Sequence, residues 1–191
     1  MIRAYGQFSM IPLLVAASCP VAAAECVGVA MPDAVTVNGQ VLSLNGMGLR
    51  AATFLKVKVY VAGLYLPGKS ADASAIIRSA QPWQLVLNFV RDVDTADINK
   101  AWREGFEKNA RDQLATLQDR IARLEGYMQD FREGSTLTFS HVPGRGTEIV
   151  VDGKTRGIIE GSDFGAALIS IWLGDPPNAG LKEGLLGGPC G

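Results

Sequence analysis

The sequence predicts an α+β domain, an antiparallel sheet with helices on one face, and three observations predict it. Extended patterns come first, helical periods follow, extended patterns return, and helices close the chain. That order suits an α+β domain rather than alternating βαβ units. Two-residue hairpin signals at Asn38-Gly39 and Asp152-Gly153 join neighbouring extended runs, so consecutive strands pair antiparallel. No internal repeat or low-complexity linker interrupts the 191 residues, a length that suits one domain with a sizeable core.

The first element is a targeting segment. Arg3 is the only charge before Glu25, an apolar run spans Met10 to Ala17, and small residues end at Ala22-Ala23-Ala24. This is the layout of a cleavable secretory signal, with cleavage expected after Ala24 and a mature domain of residues 25–191. Ala16-Ala17-Ser18-Cys19 is a weaker, lipoprotein-like alternative. The apolar run is shorter than the roughly 20 residues a bilayer needs, and no later segment is long and apolar enough to span one. Export would place the domain outside the cytoplasm, in the periplasm for a Gram-negative source. It would also remove Cys19 and leave Cys26 and Cys190, one near each end. An oxidising compartment permits that pair to bridge, and two unpaired terminal thiols are the alternative.

The domain then reads in order. Val35 to Val37 and Gln40 to Leu44 flank Asn38-Gly39, and a second Asn-Gly, Asn45-Gly46, is expected to turn the chain again. Phe54 to Leu66 carries the strongest strand signal, ended by Pro67-Gly68. A short helical piece from Asp72 to Ser79 precedes a strand from Trp83 to Val90. Asp94 is placed to cap a helix on which Ile98, Ala101, Trp102, Gly105 and Phe106 share a face. Leu114, Leu117, Ile121, Leu124 and Met128 mark a second helix whose other face is charged. Strands follow at Ser135 to Val142, Thr147 to Val151 and Lys154 to Ile159. An apolar helix from Phe164 to Leu173 and a short one around Leu181 to Leu186 complete the chain.

The chemical inventory narrows the field. Loss of Arg3 would leave 17 of the 18 basic residues against 19 acidic ones, a balance that gives no basic face for a nucleic-acid partner. His141 is the single histidine, so His-rich metal sites and double-histidine mechanisms are excluded. It is expected at the surface of its strand, beside the Gly144-Arg145-Gly146 turn. No Gly-x-Ser-x-Gly elbow and no Cys-x-x-Cys is present, and Gly46-Met47-Gly48 lacks the third glycine of a dinucleotide fingerprint. The acids of Asp92-Val93-Asp94-Thr95-Ala96-Asp97 fit turn and cap positions. Neither a cofactor nor a metal is implied.

Gly46-Met47-Gly48-Leu49-Arg50 followed by Lys58-Val59-Tyr60-Val61-Ala62-Gly63-Leu64-Tyr65-Leu66 resembles the chalcone isomerase-like superfamily. The resemblance continues through Phe89 to Val93, Trp102 to Phe106, Gly153-Lys154, Asp163-Phe164, Ile171 to Asp175 and Leu185 to Gly187, and looks closest to the bacterial exported branch. It implies an open-faced sandwich, a large antiparallel sheet under a helical layer with a ligand cleft between them. Arg50 matches the arginine that meets a ligand's negative charge in the enzymes, and Tyr60 matches their catalytic threonine, as in the plant fatty-acid-binding relatives. A guanidinium fork and a phenol could together clamp a carboxylate. Ten residues of continuous strand would hold Arg50 and Tyr60 about 33 Å apart, so the pair can share a ligand only if the chain turns tightly between them.

The departures weigh against catalysis. The stretch Arg91 to Glu104 has no counterpart of the enzymes' tyrosine, and Phe164-Gly165 stands near their last ligand-contacting hydroxyl. Cyclising a chalcone needs groups that orient a phenolate and protonate an enolate. The reading is therefore an exported, non-catalytic protein with no catalytic residue assigned. It would bind a small amphiphilic ligand, such as a fatty acid, through Arg50 and Tyr60. An isomerase of chalcone isomerase type acting on a phenolic or enone substrate, and an accessory domain with a filled cleft, are the alternatives.

Overall fold

The computed structural model describes residues 23–52 and 57–190. The strands are β1 (Ala23–Cys26), β2 (Val29–Pro32), β3 (Ala34–Val37), β4 (Gln40–Ala52), β5 (Val57–Leu66), β6 (Trp83–Phe89), β7 (Thr136–Val142), β8 (Gly146–Val151) and β9 (Lys154–Ile159). The helices are α1 (Ala73–Arg78), α2 (Thr95–Asn109), α3 (Leu114–Gly126), α4 (Ser162–Leu173) and α5 (Ala179–Leu185). Turn chemistry sets their pairing. Asn38-Gly39 and Asp152-Gly153 take φ of 48° and 80°, and of 47° and 72°, the left-handed pair that a two-residue hairpin requires. Strands β3 to β9 lie in sequence order in a seven-stranded antiparallel meander, and β1 and β2 form a separate hairpin.

Alternation along the strands sorts side chains between two cores. Tyr60, Ala62, Leu64 and Leu66 of β5 join Leu85, Leu87 and Phe89 of β6 on the face that meets the helices. Val61 and Tyr65 point the other way, to Leu42, Met31 and Cys26 under the β1–β2 hairpin. Helices dock by periodic apolar faces, with Ile98, Trp102 and Phe106 buried on α2 and Leu117, Ile121 and Leu124 on α3. Almost every residue of α4 from Phe164 to Leu173 is buried, as an all-round apolar helix demands.

A disulfide joins Cys26 to Cys190, with Cα atoms 6.0 Å apart. It ties the end of β1 to the segment after α5, on the hairpin side of the sheet. The expected cleavage point after Ala24 falls inside β1, where Ala23 and Ala24 pair with Pro32 and Met31. The rest of the targeting segment, residues 1–22, lies outside the described residues, as do residues 54–56 of the strand expected from Phe54.

Three local expectations are corrected. Asn45-Gly46 is no turn: β4 runs through it with a bulge between Leu44 and Gly46. The Asn45 amide donates to the Leu185 carbonyl at 2.7 Å and the Ser70 carbonyl at 2.9 Å, while Gly46 admits the backbone of α5. Asp94 occupies the cap position of α2, but its carboxylate makes no capping bond. Asp130 accepts from the Thr95 amide at 2.9 Å and its hydroxyl at 2.7 Å instead. His141 is not a surface residue. It is 5% exposed, stacked on Trp83, with Nδ1 3.0 Å from Thr147 Oγ1. Glycine at position 165 leaves α4 room to lie over its ring, and burial lowers the imidazole pKa.

Candidate ligand-binding site

The geometric condition set by the sequence is met. Strands β4 and β5 pair antiparallel with Arg50 directly opposite Tyr60, and Phe89 of β6 continues the row. All three therefore project toward the helices. The glycines before Arg50 explain how a helix approaches this row. A Cβ at Gly46 would strike the Gly184 carbonyl, and one at Gly48 would strike the Leu181 carbonyl. Without side chains there, α5 lies directly on β4 and stops short of Arg50.

Asn178, which precedes α5, completes the fit. Its Nδ2 donates to the Leu49 carbonyl at 3.0 Å, and its Oδ1 accepts from the Ala51 amide at 3.2 Å. A side-chain amide thus pairs with the free edge of β4 on both sides of Arg50, fixing the backbone from which the guanidinium projects. Arg50 is half-buried, and its Nη1 donates to the Ala51 carbonyl. Among the described residues it forms no ion pair with a carboxylate.

Tyr60 is 6% exposed, and its phenol oxygen accepts from Trp172 Nε1 at 3.0 Å. Because an indole only donates, the phenol proton remains available to an acceptor. Burial pushes the Tyr60 pKa up to about 12, against the opposing pull of the Trp172 hydrogen bond and the Arg50 charge. The group is a neutral donor at ordinary pH.

Both residues open onto a cleft of about 700 Å³ between the β4–β5 end of the sheet, α2 and the α4–α5 connection. This volume lies within the range of small-molecule sites, and an open cleft of this size among the described residues favours a ligand over the filled-cleft reading. Val59, Ile98, Trp102 and Ile171 give apolar wall; Asp97, Glu104 and Lys108 on α2 and Asp175 after α4 supply charge. Lys108 pairs with Asp175 at 2.9 Å, and Glu104 with Lys100 at 3.9 Å. Trp102 is 2% exposed, and its indole nitrogen has no hydrogen-bond partner among the described residues.

The structure therefore brings together Arg50 and Tyr60, and sets Cys26 and Cys190 apart from them on the hairpin side. Phe164 packs against Phe106 at 5.9 Å and takes no part in the cleft. Asn178 and the Trp172 indole carried no sequence signal for their roles, since their partners lie 129 and 112 positions away. No group of three or more His, Cys, Asp or Glu residues suited to a metal ion occurs among the described residues, and no described helix is long and apolar enough to cross a membrane.

The chalcone isomerase-like family model matches residues 23–187. The chain belongs to that family. Among solved structures it is similar to a fatty-acid binding protein of Arabidopsis thaliana, with a TM-score of 0.68 and 15% identity, over 86% of this chain and 96% of that one. At that identity the likeness shows the shared fold. No curated protein matches the chain. The family's open-faced sandwich, expected from the ordered motifs, is the fold observed.

Proposed function

We propose that this protein is an exported, non-catalytic binding protein for an amphiphilic carboxylate such as a fatty acid. The observation that carries this reading is the placement of Arg50 opposite Tyr60 at the wall of an open cleft, without an acidic partner among the described residues. A guanidinium fork takes two carboxylate oxygens side by side, and the neutral Tyr60 phenol adds a third donor. Val59, Ile98 and Ile171 offer the tail an apolar surface. The name of the Arabidopsis neighbour supports the ligand class. Export is supported by the charge, apolar run and small-residue site of residues 1–24, and by a disulfide, which suits an oxidising compartment such as the periplasm.

Native mass spectrometry of the purified protein, with organic extraction of any bound molecule, tests the reading. A co-purified or added fatty acid should bind, and Arg50→Ala should weaken it about tenfold or more, the worth of a charged hydrogen bond. A protein that stays empty in the presence of fatty acids overturns it. Chalcone absorbance should decay at the buffer rate, and faster decay would move the reading to an isomerase.

A further inference from the structure

We propose that Trp102 sets the length of the ligand, so that the site selects short and medium-chain carboxylates. This rests on the carboxylate reading above and concerns where the tail goes. A tail anchored between Arg50 and Tyr60 has two routes, inward between sheet and helices or outward along α2. The inward route is closed. Trp172, fully buried, stands at the Tyr60 phenol. Trp102 lies against Trp172 with ring centroids 5.6 Å apart, and Phe139 packs on both indoles at 5.9 Å. Trp102 and Phe139 are 2% and 0% exposed. Interiors packed in this way leave no room for a polymethylene chain.

The helices give no second way in. A Cβ at Gly105 would lie 2.9 Å from Ile171 Cγ2, so α2 and α4 touch where Gly105 faces Ile171. The outward route offers Ile98, Ala101 and Ile171 as apolar wall, and the same cleft is lined by charged groups, Arg91, Asp97, Glu104 and Lys108 among them. Each methylene laid on the apolar part leaves water, whereas one that reaches the charged groups gains nothing. Trp102 belongs to both features, since it lines the cleft and forms the near side of the aromatic plug.

Isothermal titration with saturated carboxylates from hexanoate to hexadecanoate, kept below micelle formation, reads this directly. Wild-type affinity should rise about fourfold per added methylene over the short members and level off by dodecanoate. Trp102→Leu should extend the rise, strengthening hexadecanoate about tenfold or more while leaving hexanoate within about twofold. Trp102→Phe, which keeps a ring in the plug, should follow the wild-type profile. An unbroken rise to hexadecanoate in the wild type overturns the inference alone, and that profile decides the matter even if the leucine variant does not fold. A folded Trp102→Leu with the wild-type profile also overturns it. Absence of binding at every length, or affinities indifferent to Arg50→Ala, overturns the carboxylate reading as well.

Discussion

The two faces of the sheet are closed by different means. On one, α2 to α5 cover a contiguous set of large rings, among them Trp102, Trp172, Phe89, Phe106, Phe139 and Phe164. On the other, Leu42, Leu44, Met47, Val61 and Tyr65 lie under a hairpin of two four-residue strands. The thick face is held by packing and leaves a gap at the β4–β5 end, where the cleft opens. The thin face buries less and carries the covalent tie. Small cores are where disulfides contribute most.

Breaking the tie should have the largest effect on stability. The bridge closes a loop of 164 positions, for which chain entropy predicts about 5 kcal/mol. Urea unfolding of the Cys26→Ser, Cys190→Ser double variant should show a loss approaching that size. An unchanged midpoint would mean that the hairpin is held by packing alone, and the contrast between the faces would collapse.

On the helix face a large loss should come from Gly48. A methyl group there meets the Leu181 carbonyl, a backbone atom that cannot rotate away. Gly48→Ala should cost about 3 kcal/mol, the upper part of the range for overpacking. Gly68→Ala, whose Cβ meets nothing within 4 Å, is the matched control and should unfold with the wild type. Equal behaviour of the two variants would show that α5 is not seated on β4.

The same contacts explain what could be read from the sequence. Hairpins at Asn38-Gly39 and Asp152-Gly153 were legible because their signal is local, as were the helices from Thr95 and Leu114. The β1–β2 hairpin was not, because it turns on Val27-Gly28, with Val27 at φ 51°, a conformation that a β-branched residue rarely adopts. Asn45-Gly46 carries the same local signal as Asn38-Gly39, yet α5, 140 positions on, recruits its amide and keeps the strand running. Of the candidate site, the pairing of Arg50 with Tyr60 across β4 and β5 was anticipated through the family motifs and the need for a tight turn between them. Their support was not, since Asn178 and Trp172 reach them across most of the chain. The burial of His141 depends on Gly165 of α4, which local pattern does not connect to it.

The two indoles of the helix face sharpen the contrast within that face. Trp172 spends its N–H on Tyr60, whereas Trp102 has no partner among the described residues. Trp172→Phe should cost about 1–3 kcal/mol, because it removes the donor to a buried phenol oxygen as well as ring volume. Trp102→Phe loses volume without a hydrogen bond and should cost less. Thermal unfolding of the pair checks the order, and a reversal would mean that Trp102 is the better satisfied of the two.

Tyr60 and Tyr65 carry the comparison to the smallest effect, since they are buried on opposite faces of one strand. Tyr65 donates to the Pro32 carbonyl of the hairpin at 3.0 Å. Burial raises both phenols from 10.0 to about 12, helped at Tyr65 by the charge of Asp33. The unfolded chain releases these protons near pH 10 and the folded one keeps them to about pH 12. Their stabilising effect is therefore full below pH 10 and is lost as pH climbs through that window, by about 1 kcal/mol at pH 11 for Tyr60 and by less for Tyr65, where solvent screens the group. Tyr60→Phe and Tyr65→Phe should each flatten part of this alkaline decline. Arg50 separates the two groups, because its charge pulls the Tyr60 pKa down and is not among the causes acting on Tyr65. In Arg50→Ala, tyrosinate absorbance should show Tyr60 titrating still higher and Tyr65 unmoved. An alkaline titration indifferent to Arg50 would mean that the guanidinium does not face Tyr60, and the carboxylate clamp would lose its geometry.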